Sequence, residues 1–209
     1  MADAQSATRP PSAWPNYVTL LRIVLVGPFI WCLLHQHAPA WRLAGGVLFA
    51  VTALTDTLDG VLARVLKSQT PLGRFLDPLA DKLLITSAMI LLAVDATAVP
   101  GKVVPTWVVI AAIGKDLVVV VGFALLYVVT GRITIQPRAL GKTCTGAQLL
   151  MVPAVLFWPE IRSLGLRWLA LLPDVLWWAG GLLAIAAAVD YAQLGIRLAH
   201  AEDGLDHEA

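Results

Sequence analysis

Four aspartates lie within 26 residues of this chain, in two closely spaced pairs. Asp56 and Asp59 are three positions apart, and Asp77 and Asp81 are four positions apart. Residues at these separations share one face of a helix, so each pair is predicted to present its carboxylates together. Because four neighbouring anions repel one another, the pattern requires either protonation or a compensating cation.

The type and number of these side chains favour a site for divalent cations. Carboxylate oxygens suit Mg²⁺, Mn²⁺ or Ca²⁺ much better than Zn²⁺, and four carboxylates make two ions plausible. The small residues Gly60, Ala63 and Gly73 fall on the same helix faces and leave room for a bulky ligand. Arg64 can form charge-assisted hydrogen bonds to a phosphate. Taken singly, these residues also fit helix caps, helix packing and positively charged membrane anchors, and it is their combination that favours the metal and phosphate site.

The elements that position these residues are predicted to be membrane-spanning helices. Apolar residues make up 58% of the 209 residues and charged residues only 14%, whereas soluble domains carry about a quarter charged residues. The mean hydropathy is +0.77. Since a helical span needs about 20 mostly apolar residues, six spans are predicted, at residues 18–34, 41–66, 72–94, 104–129, 140–157 and 175–198. We therefore expect an all-α polytopic membrane protein, six transmembrane helices with a polar metal and nucleotide cavity near the cytoplasmic face.

The basic residues predict the orientation of these spans. With six spans, both termini and the second and fourth connections lie on one side, and that side carries eight basic residues against four on the other. The richer side is predicted to be cytoplasmic, in an inner or plasma membrane. Its basic residues are Arg9, Arg64, Lys67, Arg74, Arg132, Arg138, Lys142 and Arg197, and those of the other side are Arg42, Lys102, Arg162 and Arg167.

The segments outside the spans are expected to be short and simple. Residues 1–15 are predicted to be a flexible or interfacial segment, residues 16–200 one membrane domain, and residues 201–209 an acidic disordered tail. The short apolar stretch 161–172 is predicted to be re-entrant or interfacial. The net charge of +1 gives no indication of a nucleic-acid partner. Cys32 and Cys144 suggest neither a disulfide framework nor a metal cluster.

The joint pattern of acidic, small and basic residues resembles a known family signature. The stretch from Asp56 to Arg64 and, after eight residues, the stretch from Gly73 to Asp81 match the signature D-x2-D-G-x2-A-R-x8-G-x3-D-x3-D at all eight fixed positions. This is the signature of the CDP-alcohol phosphatidyltransferase family. The resemblance also includes the six spans and the N-terminal phrase from Pro15 to Arg22, and it covers residues 14 to 198.

The resemblance implies a role for each matching residue. Asp56, Asp59, Asp77 and Asp81 would hold two divalent cations, Mg²⁺ or Mn²⁺, and Asp81 would also act as general base on the acceptor hydroxyl. The residues bordering the CDP group would be Asn16, Thr19, Arg22, Gly60, Ala63, Arg64 and Gly73. The implied reaction is the transfer of a phosphatidyl group from CDP-diacylglycerol to an alcohol with release of CMP, by direct in-line attack. A homodimer is also expected from the family.

The acceptor alcohol is predicted from the phrase Leu76 to Lys82. This phrase resembles the family branches that make phosphatidylglycerophosphate or cardiolipin, so glycerol 3-phosphate is the first expectation and phosphatidylglycerol the alternative. Lys115, Arg138 and Lys142 are candidates for binding an acceptor phosphate. A pair between Lys115 and Asp116 that only compensates charge is the other interpretation of Lys115. Asp190 is assigned no function.

Two hypotheses of a different class are also considered. Membrane aspartates build ion paths in cation channels and transporters, but such residues would be spread through the membrane depth. The four aspartates instead lie near one membrane face, beside Arg64, Lys67 and Arg74. An inactive family member that acts as a structural partner is the last alternative, and the complete set of aspartates argues against it.

Overall fold

The computed structural model describes residues 14–66, 71–130 and 139–206, and it describes side chains for residues 20–55, 79–122, 124–125 and 139–197. Every regular element in these ranges is helical, as predicted. Each of the six predicted spans coincides with one long helix. The elements are α1 (Trp14–Leu34), α2 (Pro39–Leu66), α3 (Pro71–Ala93), α4 (Thr106–Thr130), α5 (Ala139–Leu156), α6 (Trp158–Ser163), a 3-10 turn (Leu169–Leu171) and α7 (Leu172–Asp206).

The ends of the helices follow local sequence signals. α2 and α3 begin at Pro39 and Pro71, because proline suits the first helical position, where its missing N–H has no helical partner anyway. The apolar stretch 161–172 forms the end of α6, a connection and the 3-10 turn. α7 continues to Asp206, into the segment that the sequence analysis assigns to a disordered tail. Alanine and glutamate in that segment are good helix formers.

Two helices in the described part of the chain are long and apolar enough to cross a membrane by length and composition. These are Ala139–Leu156 and Leu169–Arg197, the second of which joins the 3-10 turn to α7. Shorter apolar helical stretches occupy Leu20–Leu34 and Pro39–Thr55. Many large apolar side chains on these helices are exposed, among them Leu54, Leu150 and Leu182. Such faces suit hydrocarbon surroundings better than water.

Helix packing divides the bundle into two groups that share one core. α1 packs against α2 and α3, while α7 packs against α4 and α5, and α2 also contacts α5. Phe29 of α1 and Phe49 of α2 are fully buried with their ring centroids 5.6 Å apart. Met89 of α3 and Met151 of α5 are buried in the same core cluster. The core therefore holds the first three helices against the last three long helices.

Three connections meet at one end of the bundle, which we call the far end. They are the turn between α1 and α2, the loop between α3 and α4, and the segment from Phe157 to Leu171. His37 Nε2 lies 2.9 Å from the backbone oxygen of Ala96, which joins the first two connections. Arg42 forms an ion pair with Glu160, which joins α2 to α6. The far end lies beyond the C-terminus of α3, about 18 Å along the helix from Asp81.

Candidate active site

An ion pair between α1 and α3 joins two residues of the predicted site. Arg22 Nη1 donates a hydrogen bond to Asp81 Oδ1 at 3.2 Å, although the two residues are 59 positions apart. The Arg22 side chain is 4% exposed, whereas that of Asp81 is 39% exposed. The guanidinium is thus enclosed by the bundle, whereas the carboxylate is partly exposed. This pair brings together a residue predicted to border the CDP group and the predicted general base.

A second charged cluster joins α3 to α4 directly beside this pair. Asp116 of α4 forms an ion pair with Lys82 of α3, and its Oδ1 also lies 2.9 Å from Lys115 Nζ. Lys115 is buried, while Lys82 and Asp116 are partly exposed. Because Lys82 follows Asp81 in the chain, the two clusters occupy adjacent positions on α3. Two lysines share one aspartate, so the cluster carries an excess positive charge.

The helix α5, which begins at Ala139, contacts α3 as well as α7. Cys144 is buried on α5, two positions after Lys142, and Lys142 itself is exposed. The start of α5 packs against α7, where a Cβ placed on Gly141 would lie 3.0 Å from the Tyr191 hydroxyl. Arg138, the third predicted acceptor-phosphate residue, lies outside the described residues.

Helical backbone covers most of the other predicted site residues. α2 is helical through Asp56, Asp59, Gly60, Ala63 and Arg64, α3 is helical through Gly73 and Asp77, and α1 is helical through Asn16 and Thr19. The predicted helical spacing therefore applies to both aspartate pairs, and each pair shares a helix face. The side chains of these nine residues lie outside the described set, so their predicted roles remain predictions.

The described part of the donor set is compatible with a divalent cation. Asp81 presents a partly exposed carboxylate, the ligand type that Mg²⁺ and Mn²⁺ prefer. Arg22 compensates its charge through the contact to Oδ1. Among the residues whose side chains are described, no three histidine, cysteine, aspartate or glutamate residues form a metal-binding group. The predicted metal site includes three aspartates beyond that set.

Lys82 is a site residue that the sequence did not predict. The sequence feature that could have identified Lys82 is its position directly after the last aspartate of the motif. That position alone does not reveal its partner. The ion pair with Asp116 depends on how α3 and α4 are rotated against each other. The contact between Lys115 and Asp116, in contrast, is one of the two interpretations that the sequence analysis left open for Lys115.

Comparison with known proteins identifies the class. The profile of the CDP-alcohol phosphatidyltransferase family matches residues 12–186. The chain therefore belongs to this family, and it is a transferase of substituted phosphate groups. This confirms the family resemblance inferred from the aspartate motif.

Relatives within the family share one named activity. The chain is 39% identical over 153 residues to the CDP-diacylglycerol–glycerol-3-phosphate 3-phosphatidyltransferase of Bacillus subtilis (strain 168), covering 68% of this chain and 75% of the relative. It is 42% identical over 106 residues to the protein of that name from Pseudomonas fluorescens, covering 50% of this chain and 51% of the relative. The protein of that name from Escherichia coli (strain K12) is 29% identical over 150 residues, covering 70% of this chain and 78% of the relative.

Proposed function

We propose that this enzyme transfers the phosphatidyl group of CDP-diacylglycerol to glycerol 3-phosphate and releases CMP, which makes it a phosphatidylglycerophosphate synthase. The observation that carries the proposal is the 39% identity, over 68% of the chain, to a relative named for this reaction. The acceptor in that name is also the acceptor predicted from the phrase Leu76 to Lys82. The name of the relative and this phrase of the sequence therefore indicate the same pair of substrates.

The charged clusters of the site support this reaction. The acceptor hydroxyl attacks the phosphorus of the phosphatidyl group, the bond to the CMP oxygen breaks, and the hydroxyl proton passes to a base. Asp81 is the base in this proposal, and Arg22 orients its carboxylate through the 3.2 Å contact. Lys115 and Lys82 supply positive charge beside Asp81, which suits the phosphate of glycerol 3-phosphate. Lys142, whose side chain is exposed, would add a further cation to the acceptor-phosphate site.

Divalent cations are part of the proposal. Asp56, Asp59, Asp77 and Asp81 would hold two Mg²⁺ or Mn²⁺ ions, which neutralise diphosphate charge when bound. Arg64 and Arg22, with Asn16, Thr19, Gly60, Ala63 and Gly73, would border the CDP group. The support is the oxygen-rich donor set, its helical spacing on α2 and α3, and the accessible carboxylate of Asp81.

The proposed setting is a membrane with the site near its cytoplasmic face. The support is the match between six predicted apolar spans and six long helices, together with the exposed apolar side chains of those helices. The excess of basic residues on one side supports the orientation. We extend the proposal to a homodimer, on the family resemblance, and measurement of the mass of the detergent-solubilised protein tests it.

An acceptor assay tests the proposed reaction. Purified full-length protein is given Mg²⁺ and CDP-diacylglycerol with either glycerol 3-phosphate or phosphatidylglycerol, and CMP release is measured. We expect CMP release when glycerol 3-phosphate is the acceptor, and none when phosphatidylglycerol is the acceptor. Release only with phosphatidylglycerol would instead identify a cardiolipin synthase, and no release with either acceptor would contradict the proposed reaction.

A further inference from the structure

A basic cavity lies at the far end of the bundle, away from the candidate active site. Its volume is about 240 Å³, and it is lined by Lys102, Trp158, Arg162, Gly165, Arg167, Ala170, Leu171 and Asp174. We call it the far-end cavity. Pockets for drug-sized ligands occupy roughly 300–1,000 Å³, so this one has room for a small polar group rather than for a whole lipid. Arg162, Arg167 and Leu171 are exposed, so the cavity opens to the surface.

The wall of the far-end cavity is rigidly built. Lys102 Nζ lies 2.7 Å from Asp174 Oδ2 and about 5 Å from the ring centres of both Trp158 and Trp177. Trp158 Nε1 donates a hydrogen bond to the backbone oxygen of Ala170 at 3.1 Å. The carbon of the Arg162 guanidinium lies 5.1 Å from the Trp158 ring centre. Ion pairing, cation–π contacts and a hydrogen bond therefore hold the lysine and tryptophan side chains in place.

The far-end cavity carries more positive than negative charge. Among the described residues that line it, three side chains are cationic and one, Asp174, is acidic and already paired with Lys102. Glu160 on α6 is paired with Arg42. Within the described residues, neither Arg162 nor Arg167 forms an ion pair with a carboxylate. Two arginines at the mouth of the cavity are thus available for an anion, and arginine binds phosphate oxygens through paired N–H groups.

The surroundings indicate that the anion belongs to a membrane lipid. Apolar side chains stand exposed around the cavity, with Trp168 72%, Leu164 70% and Leu171 60% exposed. Tryptophan with neighbouring basic residues is typical of the boundary between hydrocarbon and headgroups. The four basic residues counted on the side opposite the predicted cytoplasmic face all lie in this region, either lining the cavity or bound to Glu160. Basic residues are otherwise scarce on that face of membrane proteins.

We propose that the far-end cavity binds the phosphate headgroup of an anionic phospholipid. Arg162 and Arg167 contact the phosphate oxygens, and the face formed by Leu164, Trp168 and Leu171 lies against the acyl chains. The site is separate from the Arg22–Asp81 pair, and its binding does not depend on the proposed reaction.

Lipid retention by the purified full-length enzyme tests this site. The protein in detergent is titrated with phosphatidylglycerol, phosphatidylcholine or inorganic phosphate, and binding is followed by native mass spectrometry. The variant Arg162→Gln/Arg167→Gln removes both charges and retains polar side chains. Arg197→Gln removes one exposed charge of α7 at the other end of the bundle and is the matched control. Because each lost charge-assisted contact weakens binding, the double variant is expected to bind phosphatidylglycerol roughly tenfold more weakly, or worse.

The binding results distinguish a site for an anionic lipid from a site for free phosphate and from nonspecific lipid binding. Tight binding of phosphatidylglycerol by the wild type and by Arg197→Gln, but not by the double variant, supports the lipid site. Equal binding of phosphatidylcholine, or equal binding by the double variant, would overturn it. Full competition by millimolar inorganic phosphate would also overturn it, because it identifies a site for free phosphate. If the double variant does not fold, Arg167→Glu alone provides the same comparison, since that side chain is exposed.

Discussion

Arg22 Nη1 contacts Asp81 Oδ1 at 3.2 Å, and this contact joins the first helix to the last aspartate of the family motif. The arginine is buried and the carboxylate is partly exposed. A buried guanidinium is difficult to accommodate without an anionic partner, because desolvation of the charge is costly. The pair therefore has a structural part, which aligns α1 with α3, and in our proposal a chemical part, which orients the base.

Replacement of Asp81 should stop the reaction. We expect Asp81→Asn to lower the rate of CMP release by roughly 10²–10⁴-fold, the usual contribution of a positioned base. The change is isosteric and leaves a hydrogen-bond acceptor for Arg22, so the protein should still insert and fold. Leu79→Ala, an exposed apolar change on the same helix, is the control. Normal turnover by Asp81→Asn would remove this residue from the proposed mechanism.

A double-mutant cycle should reveal the energy of the Arg22–Asp81 pair. We expect Arg22→Gln and Asp81→Asn each to lower the thermal unfolding temperature in detergent, and the double variant to lower it by less than the sum. Since Asp81 is 39% exposed, solvent screening limits the coupling to about 1 kcal/mol. Strictly additive effects would mean that the ion pair contributes nothing to helix alignment.

Removal of divalent cations should abolish activity reversibly. We expect EDTA to stop CMP release, and excess Mg²⁺ or Mn²⁺ to restore it in the wild type. Asp56→Ala and Asp77→Ala should stay inactive after the metal is restored, because each lacks a proposed ligand, while both proteins still insert into membranes. Full turnover by either variant, or activity that persists in EDTA, would contradict the proposed metal site.

Replacement of Lys142 or Lys115 should raise the KM for glycerol 3-phosphate more than the KM for CDP-diacylglycerol. We expect Lys142→Ala to raise the KM for glycerol 3-phosphate several-fold, and Lys115→Gln to raise it by roughly tenfold or more, since each loses a charged contact to phosphate. The KM for CDP-diacylglycerol should change little in both cases. An equal rise in both KM values would indicate that these lysines only balance charge, as the pair of Lys115 with Asp116 allows.

Packing between α4 and α7 should be sensitive to one added methyl group. A Cβ on Gly181 would overlap the Trp107 ring, and this ring also packs against Trp178, with centroids 5.1 Å apart. We expect Gly181→Ala to destabilise the protein by about 1–3 kcal/mol, because the stiff indole must move. On the same helix, a Cβ added at Gly195 has no neighbouring atom within 4 Å. The unfolding temperature of the control Gly195→Ala should therefore be unchanged or slightly higher.

Much of the fold could be predicted from local patterns in the sequence. The six apolar stretches predicted the six long helices, because a run of about 20 apolar residues has few other stable arrangements. The start of α3 at Pro71 likewise follows from a local preference, that of proline for the first helical position. The spacing of the four aspartates and their small neighbours predicted the family, which the comparison with known proteins confirms. These features depend on neighbours in the chain, so one sequence is sufficient to recognise them.

The tertiary structure decided which charged side chains meet. Arg22 pairs with Asp81 and Lys82 pairs with Asp116, and each pair joins two different helices. The far-end cavity combines residues from the α3–α4 connection, α6, the segment between α6 and α7, and the start of α7. The sequence determined which residues are charged and which helix carries each one. How the helices are rotated and shifted against one another depends on side-chain packing across the whole bundle, and that packing determines the partners.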